Sequence, residues 1–229
     1  ALNEGIDKNF PKTILHKMVK VVKDGKEVKI SKRSGSFITL RDLICWAGDI
    51  KSNEDFINLV NNKNFSHKIS KGRDVVRYFL TSKKAETEFT FDVDIAQKQN
   101  DENPVFYIQY AYARACSLIN QSGLNIEELT GYLNMLEKKD LLNISKLLDS
   151  PKESILCMKL AEFPAVFETA ATELAPHVIT FYLKDLASGF HSYYNETKIN
   201  VEDETLKKIG LLLVLATSKV LTQSLSLLG

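Results

Sequence analysis

Asn103-Pro104-Val105-Phe106-Tyr107-Ile108-Gln109-Tyr110-Ala111-Tyr112-Ala113-Arg114 marks the point where the chain turns from mixed to wholly helical. Asn is a favoured N-cap, because its side-chain oxygen accepts from a backbone N–H that the first helical turn leaves unpaired. Pro is favoured as the first helical residue, where its missing N–H is no loss. The spacing predicts a helix from Pro104 to about Gln121, stopped by Gly123. At 100° per residue Ile108, Tyr112, Ala115 and Ile119 share a face, the predicted core stripe. Tyr107, Tyr110 and Arg114 gather within roughly 60° on a different face. Two phenols and a guanidinium on a non-core face suit the stacking of unpaired nucleobases, worth about 1–3 kcal/mol per base without excess net charge. Tyrosines packed against a neighbouring helix would have the same spacing, and both readings stand at this level.

Downstream, further helices are expected near 138–148, 152–162, 165–174, 177–195 and 204–228, with Pro151, Pro164 and Pro176 each at a helix start. Such a run is a bundle of antiparallel helices joined by short loops. Upstream the signals change. The β-branched run 13–22 reads as a strand, Asp24-Gly25 as a type I′ turn and 27–30 as the returning strand. Thr39 caps a short helix over 40–47 that ends at Gly48, a second helix lies near 54–61, and 73–80 is amphipathic. Residues 89–94 alternate as a strand does, but read equally as an extended connector. Two short strands cannot bury a sheet by themselves. The expected fold is therefore mainly α: a C-terminal remnant of an α/β, Rossmann-like domain over 1–94, then an all-α bundle over 95–229. The boundary falls in the polar run 95–102, and the chain reads as the C-terminal part of something longer.

Directly after the hairpin comes Lys29-Ile30-Ser31-Lys32-Arg33-Ser34-Gly35. Three cations, two hydroxyls and a glycine in seven residues suit a loop that grips a polyphosphate, each charge-assisted contact being worth about 1.5–3 kcal/mol. A solvated basic loop has the same composition, so spacing leaves the choice open. It is not a Walker A loop, since no glycine stands five residues before Gly25-Lys26. Net charge is +1, yet residues 1–40 carry nine Lys/Arg against four Asp/Glu, a local +5 that leaves −4 for the rest. Such a remainder does not bind nucleic acid by charge alone, so any RNA recognition there uses shape and stacking. Cys45, Cys116 and Cys157 are far apart with no CxxC pair, and the four histidines show no ligand spacing, so no metal site is expected. The longest apolar stretch, 209–216, is too short to span a bilayer. No signal peptide is expected, and free thiols suit a reducing cytoplasm.

Lys29-Ile30-Ser31-Lys32-Arg33 resembles the KMSKS signature of class I aminoacyl-tRNA synthetases, with Ile for Met and Arg for the last Ser. Its flanks, residues 25–28 and 34–43, resemble the arginyl-tRNA synthetase version. Residues 73–80 are similar to a DAxRxFxL segment of that family, and 103–114 to its NPxYYxQYAHAR motif, with Tyr112 in place of the usual His. Phe163-Pro164, Glu173-Leu174-Ala175-Pro176-His177, Tyr182-Leu183-Lys184-Asp185-Leu186-Ala187, Phe190-His191-Ser192-Tyr193-Tyr194-Asn195 and Leu227-Leu228-Gly229 continue the likeness, which is to the DALR anticodon-binding domain.

The resemblance implies a part of an enzyme that uses ATP, with Mg²⁺, to attach L-arginine to the 3′ end of tRNA(Arg). It implies that Lys29, Ser31, Lys32, Arg33 and Ser34 hold ATP, with Lys29 and Lys32 catalytic and Lys32 foremost in stabilising the departing pyrophosphate. It implies that Tyr107, Tyr110, Arg114 and Tyr194 contact the anticodon. The family's HIGH motif and arginine pocket lie upstream of residue 1, so this chain alone is expected to be inactive. A cytoplasmic monomer with no membrane partner is expected; His177, His191 and Asn195 are assigned structural hydrogen bonds, and Trp46 a place in the core. Two alternatives are a non-catalytic RNA-binding module and cysteinyl-tRNA synthetase. The latter usually carries a zinc site and a KMSKSLGN loop, against which Arg33-Ser34-Gly35-Ser36 and the 103–114 motif speak.

Overall fold

The structure, a computed structural model, describes residues 13–28, 37–61, 67–148 and 150–228. The expectations for Lys29, Ser31, Lys32, Arg33 and Ser34 lie outside the described residues. β1 (Val19–Lys23) and β2 (Lys26–Glu27) form an antiparallel hairpin, with Val22 opposite Glu27. Its turn holds Asp24 at φ 52° and Gly25 at φ 68°, the two positive values that a type I′ turn demands. β1 is shorter than the run 13–22 suggested, because a strand lasts only as long as its partners. Its neighbour β3 (Phe89–Asp92) runs parallel to it and begins opposite Val19. Residues 89–92 are thus a strand, not a connector, and the sheet order is β2-β1-β3.

Between β1 and β3 lie α1 (Leu40–Ala47), α2 (Asn53–Asn61) and α3 (His67–Thr81). Thr39 starts α1 with a reciprocal capping box: its hydroxyl accepts from the Asp42 N–H at 3.2 Å, and the Asp42 carboxylate accepts from the Thr39 N–H at 2.7 Å. α3 crosses α1 so closely that a Cβ on Gly72 would lie 2.2 Å from the Ile44 carbonyl oxygen. α4 (Val93–Gln97) follows β3 directly. Its Asp94 carboxylate accepts from the N–H groups of Asp24 and Gly25, both at 3.1 Å, and so clamps the hairpin tip to the helix.

The bundle comprises α5 (Pro104–Gln121), α6 (Ile126–Met135), α7 (Lys138–Leu147), α8 (Pro151–Thr172), α9 (His177–Glu196) and α10 (Glu204–Leu228). α6 is absent from the sequence reading, although Asn125 and Glu128 form the capping box that signals it. Another correction concerns Pro164, which does not start a helix: α8 runs through it unbroken. The proline sits on the exposed side, and the turns before it pack along α9, with Lys152 paired to Glu196 and Lys159 to Asp185. Phe163 stacks on Tyr182 at 5.8 Å, and the Tyr182 hydroxyl donates to the Lys159 carbonyl at 2.9 Å. That bond lies one residue from the carbonyl deprived of its helical donor by Pro164.

A third correction concerns the α5 core stripe. Tyr112 is 38% exposed, and the fully buried Ala111 takes its place beside Ile108, Ala115 and Ile119. The small side chains let α10 and α9 come close, which rotates the buried face away from Tyr112. α10 is apolar and long enough, at 25 residues, to cross a bilayer by length and composition. Its apolar side is instead taken up against α5, α6, α8 and α9. One continuous core extends from Val21 and Phe91 of the sheet through Phe79 of α3 to Ile108, Leu183, Phe190 and Leu211. It crosses the 95–102 segment, and so do two bonds from α3: Arg77 Nε donates to the Leu228 carbonyl at 2.8 Å and the Tyr78 hydroxyl to the Thr180 carbonyl at 3.2 Å.

Asn103 joins the two halves. It is 1% exposed; its Oδ1 accepts from the Val105 N–H at 3.1 Å, and its Nδ2 donates to the carbonyls of Ala96 at 3.0 Å and Lys98 at 2.9 Å. Asn103→Ala removes a cap worth about 1 kcal/mol and leaves the buried Ala96 carbonyl unpaired at about 1–3 kcal/mol, along with the partly buried Lys98 carbonyl. Asn103→Asp keeps the capping oxygen and loses both donors, so it is expected to unfold in urea nearly as easily as the Ala variant. An Asp variant as stable as wild type would reduce Asn103 to an ordinary cap. Gly72→Ala is expected to lose about 1–3 kcal/mol through overpacking against backbone. Gly131→Ala, where a Cβ meets nothing within 4 Å, is expected to gain about 0.5–1 kcal/mol in the same urea titration.

Candidate nucleic-acid interface

The helical period places Tyr107, Tyr110 and Arg114 on one stripe of α5, and α9 brings His191 and Tyr194 across from it. The guanidinium carbon of Arg114 sits 4.5 Å from the Tyr110 ring centre and 4.6 Å from that of Tyr194. The cation therefore lies against rings from two helices, each contact contributing about 0.5–2 kcal/mol according to its solvation.

His191 completes the arrangement from beneath. It is buried, with its Nε2 3.2 Å from the Tyr107 carbonyl oxygen and its Nδ1 3.2 Å from Nη1 of Arg114. A carbonyl only accepts, so Nε2 carries the proton and donates; Nδ1 is then bare and accepts from the guanidinium. The ring also packs on Tyr107 at 4.6 Å and Tyr110 at 5.8 Å. Burial holds its pKa below the usual histidine value, the Tyr107 carbonyl offsets this in part, and the positive Arg114 lowers it further.

Over these groups lies a recess of about 370 Å³, lined by Asn100, Asp101, Phe106, Tyr107, Tyr110, Arg114, His191 and Asn195. Tyr110 is 45% exposed, and Tyr107 and Tyr194 are half-buried, so the face is open to solvent. Phe106 extends the platform, stacked on Tyr110 at 6.0 Å with 10° between ring planes. The exposed faces of the aromatic rings can stack on a base, while the Asp101 carboxylate and the Asn100 and Asn195 amides offer hydrogen-bonding partners for base edges.

The structure thus brings together all four residues singled out on the helical side, Tyr107, Tyr110, Arg114 and Tyr194. It adds Phe106, Asn100 and Asp101, which the sequence reading passed over; Phe106, four residues before Tyr110, was the legible one. A larger groove of about 850 Å³ opens on the other side of α5, between Tyr112, Cys116 and α10, with one Lys219 and one Glu127 and no comparable stack. Among the described residues no group of three His, Cys, Asp or Glu is placed to hold a metal ion.

Comparison with known proteins follows the same line. The family model of the DALR anticodon binding domain matches residues 108–229. Over its full length the chain is 48% identical, across 232 aligned positions, to an arginine–tRNA ligase of Paraburkholderia phymatum, of which it covers 37%. A crystal structure described as an arginyl-tRNA synthetase of Campylobacter jejuni superposes on 94% of this chain and 39% of its own, with TM-score 0.64 and 27% identity. The arginyl-tRNA synthetase of Thermus thermophilus shares the fold over 92% of this chain and 33% of its own, with TM-score 0.63 and 24% identity. The chain spans little more than a third of the length of these relatives. It belongs to the DALR anticodon-binding family, and it corresponds to the C-terminal portion of an arginyl-tRNA synthetase.

Proposed function

We propose that this chain supplies the anticodon-reading surface and the nucleotide lid of an enzyme that uses ATP to attach L-arginine to the 3′ end of tRNA(Arg). The observation that carries the reading of the helical half is the Arg114 guanidinium held between the Tyr110 and Tyr194 rings beside an open recess. A near-neutral chain gains little from phosphate attraction. Pre-ordered aromatic and guanidinium planes stack on unpaired bases without it. Tyr107, Tyr110, Arg114 and Tyr194 are the anticodon contacts in this reading.

The lid is residues 29–35. Lys29, Ser31, Lys32, Arg33 and Ser34 hold the phosphates of Mg²⁺-bound ATP, and Lys32 stabilises charge on the departing pyrophosphate. The KMSKS-like sequence supports this, as does the hairpin that leads into it, whose tip is anchored by Asp94. Arginine is bound mainly by the part of the enzyme upstream, and the enzyme acts in the cytoplasm as a monomer. On its own this chain binds tRNA weakly and forms no adenylate.

Tyr110→Ala is expected to weaken binding of tRNA(Arg) about 5- to 150-fold, the equivalent of one lost stacking contact. The melting temperature should barely move, because the ring is nearly half exposed. Unchanged affinity in a filter-binding titration would remove the stacking face from the mechanism. In the full-length enzyme, Lys32→Ala is expected to slow ATP–pyrophosphate exchange by about 10²–10³ while ATP affinity changes far less. Equal losses in both would mean that Lys32 binds ground state and transition state alike.

A further inference from the structure

We propose that His191 is a positioning residue for RNA reading: its ring, fixed in the Nε2–H tautomer by the Tyr107 carbonyl, uses the Nδ1 lone pair to hold Arg114 between Tyr110 and Tyr194. This rests on the RNA-binding reading of the same face. A histidine that merely filled the core would leave the cation free. Here both ring nitrogens are engaged by α5, 77 and 84 residues away in sequence. A free arginine side chain samples many rotamers, and ordering it on binding subtracts from affinity. His191 does that ordering before RNA arrives.

Only the neutral ring can serve. Protonation would point a second N–H at the guanidinium N–H and set cation against cation. Around the ring stand Arg114, Tyr107 and Tyr110 of α5, Tyr194 of its own helix, and Asp101 of the loop before α5, which lines the same recess. With the folded pKa below the unfolded value of about 6.5, the unfolded chain takes up the proton first. Stability is therefore complete above about 6.5 and declines as pH falls from there to the folded value. The platform itself comes apart only as pH falls through the folded value.

The test uses the whole 229-residue chain, its histidines labelled with ¹⁵N, and an RNA hairpin carrying the tRNA(Arg) anticodon loop. His191→Phe keeps a ring and loses both bonds, His191→Asn keeps an acceptor near the Nδ1 position, and thermal melts establish that each is folded. In the wild type, long-range ¹H–¹⁵N spectra should show the Nε2–H tautomer, and the Arg114 side-chain N–H signals should exchange slowly. His191→Phe should lose that protection and bind the hairpin about tenfold more weakly, without the fall in affinity that the wild type shows as pH drops through the folded value of His191. His191→Asn should recover most of both. An Nδ1–H tautomer overturns the proposal. So does a His191→Phe variant with protected Arg114 or the wild-type pH profile, since that dependence would belong to other groups. A hairpin that binds no variant, wild type included, refutes the RNA-binding reading; the tautomer and the Arg114 exchange rates then still decide whether His191 positions the cation.

Discussion

One buried carboxamide sets the geometry on which everything else depends. Asn103 ties the Ala96 and Lys98 carbonyls at the end of α4 to the first turn of α5, using both donors and its acceptor. α4 grows directly from β3, and its Asp94 grips the turn between β1 and β2. A line of hydrogen bonds thus runs from the hairpin tip, through a five-residue helix, to the helix that carries Tyr107, Tyr110 and Arg114. The direction of α5 relative to the sheet follows from this corner. The α3 bonds to Thr180 and Leu228 make the same junction from the other side, so the two halves share a core instead of swinging on a linker.

Placing an aromatic and cationic face on α5 required something of the face beside it. Ala111 and Ala115 are small enough for α9 and α10 to approach closely. That approach carries Tyr194 and His191 within reach of Arg114. Bulky residues at those two positions would hold α9 away, leaving the guanidinium to water and the recess without its far wall. Core packing and the site are therefore one problem. An interface built this way depends on planes and edges more than on charge, which suits a chain whose net charge is +1. In the proposed reading, its RNA affinity should respond to salt less steeply than that of a protein that neutralises many phosphates.

Elements with explicit start and stop chemistry were legible in the sequence. Thr39 and Gly48 bound α1, and Asn103-Pro104 with Gly123 bounds α5, each as expected. Pro164 misleads because the rule treats a helix as isolated, whereas the turns of α8 before it lean on α9. Tyr112 was misread because two stripes rotated by a fraction of a turn fit one periodic pattern, and only the neighbouring helix chooses between them. The parallel partner of β1 was ambiguous for a similar reason, since its ladder joins residues about seventy positions apart. Periodicity found Tyr107, Tyr110 and Arg114 within one helix; Tyr194 came from the family resemblance, and nothing local announced that His191 would meet Arg114. The basic segment 29–35 rests on its likeness to a known signature.

Why the residues converge at spacings of three and four follows from how side chains leave a helix. Each Cα–Cβ bond tilts toward the N-terminus, so a long side chain covers the turn before its own Cα. Arg114 therefore lies back over Tyr110, not beside residue 114. Carbonyls tilt the other way, so the Tyr107 oxygen points toward the C-terminus and the same level of the helix. Backbone acceptor and side-chain donor meet there, seven residues apart in sequence, and one imidazole from α9 spans both. An arginine two positions away would lean back to a different azimuth and leave Nδ1 without its donor. The same tilt that gives the helix its packing face thus gives the histidine its tautomer.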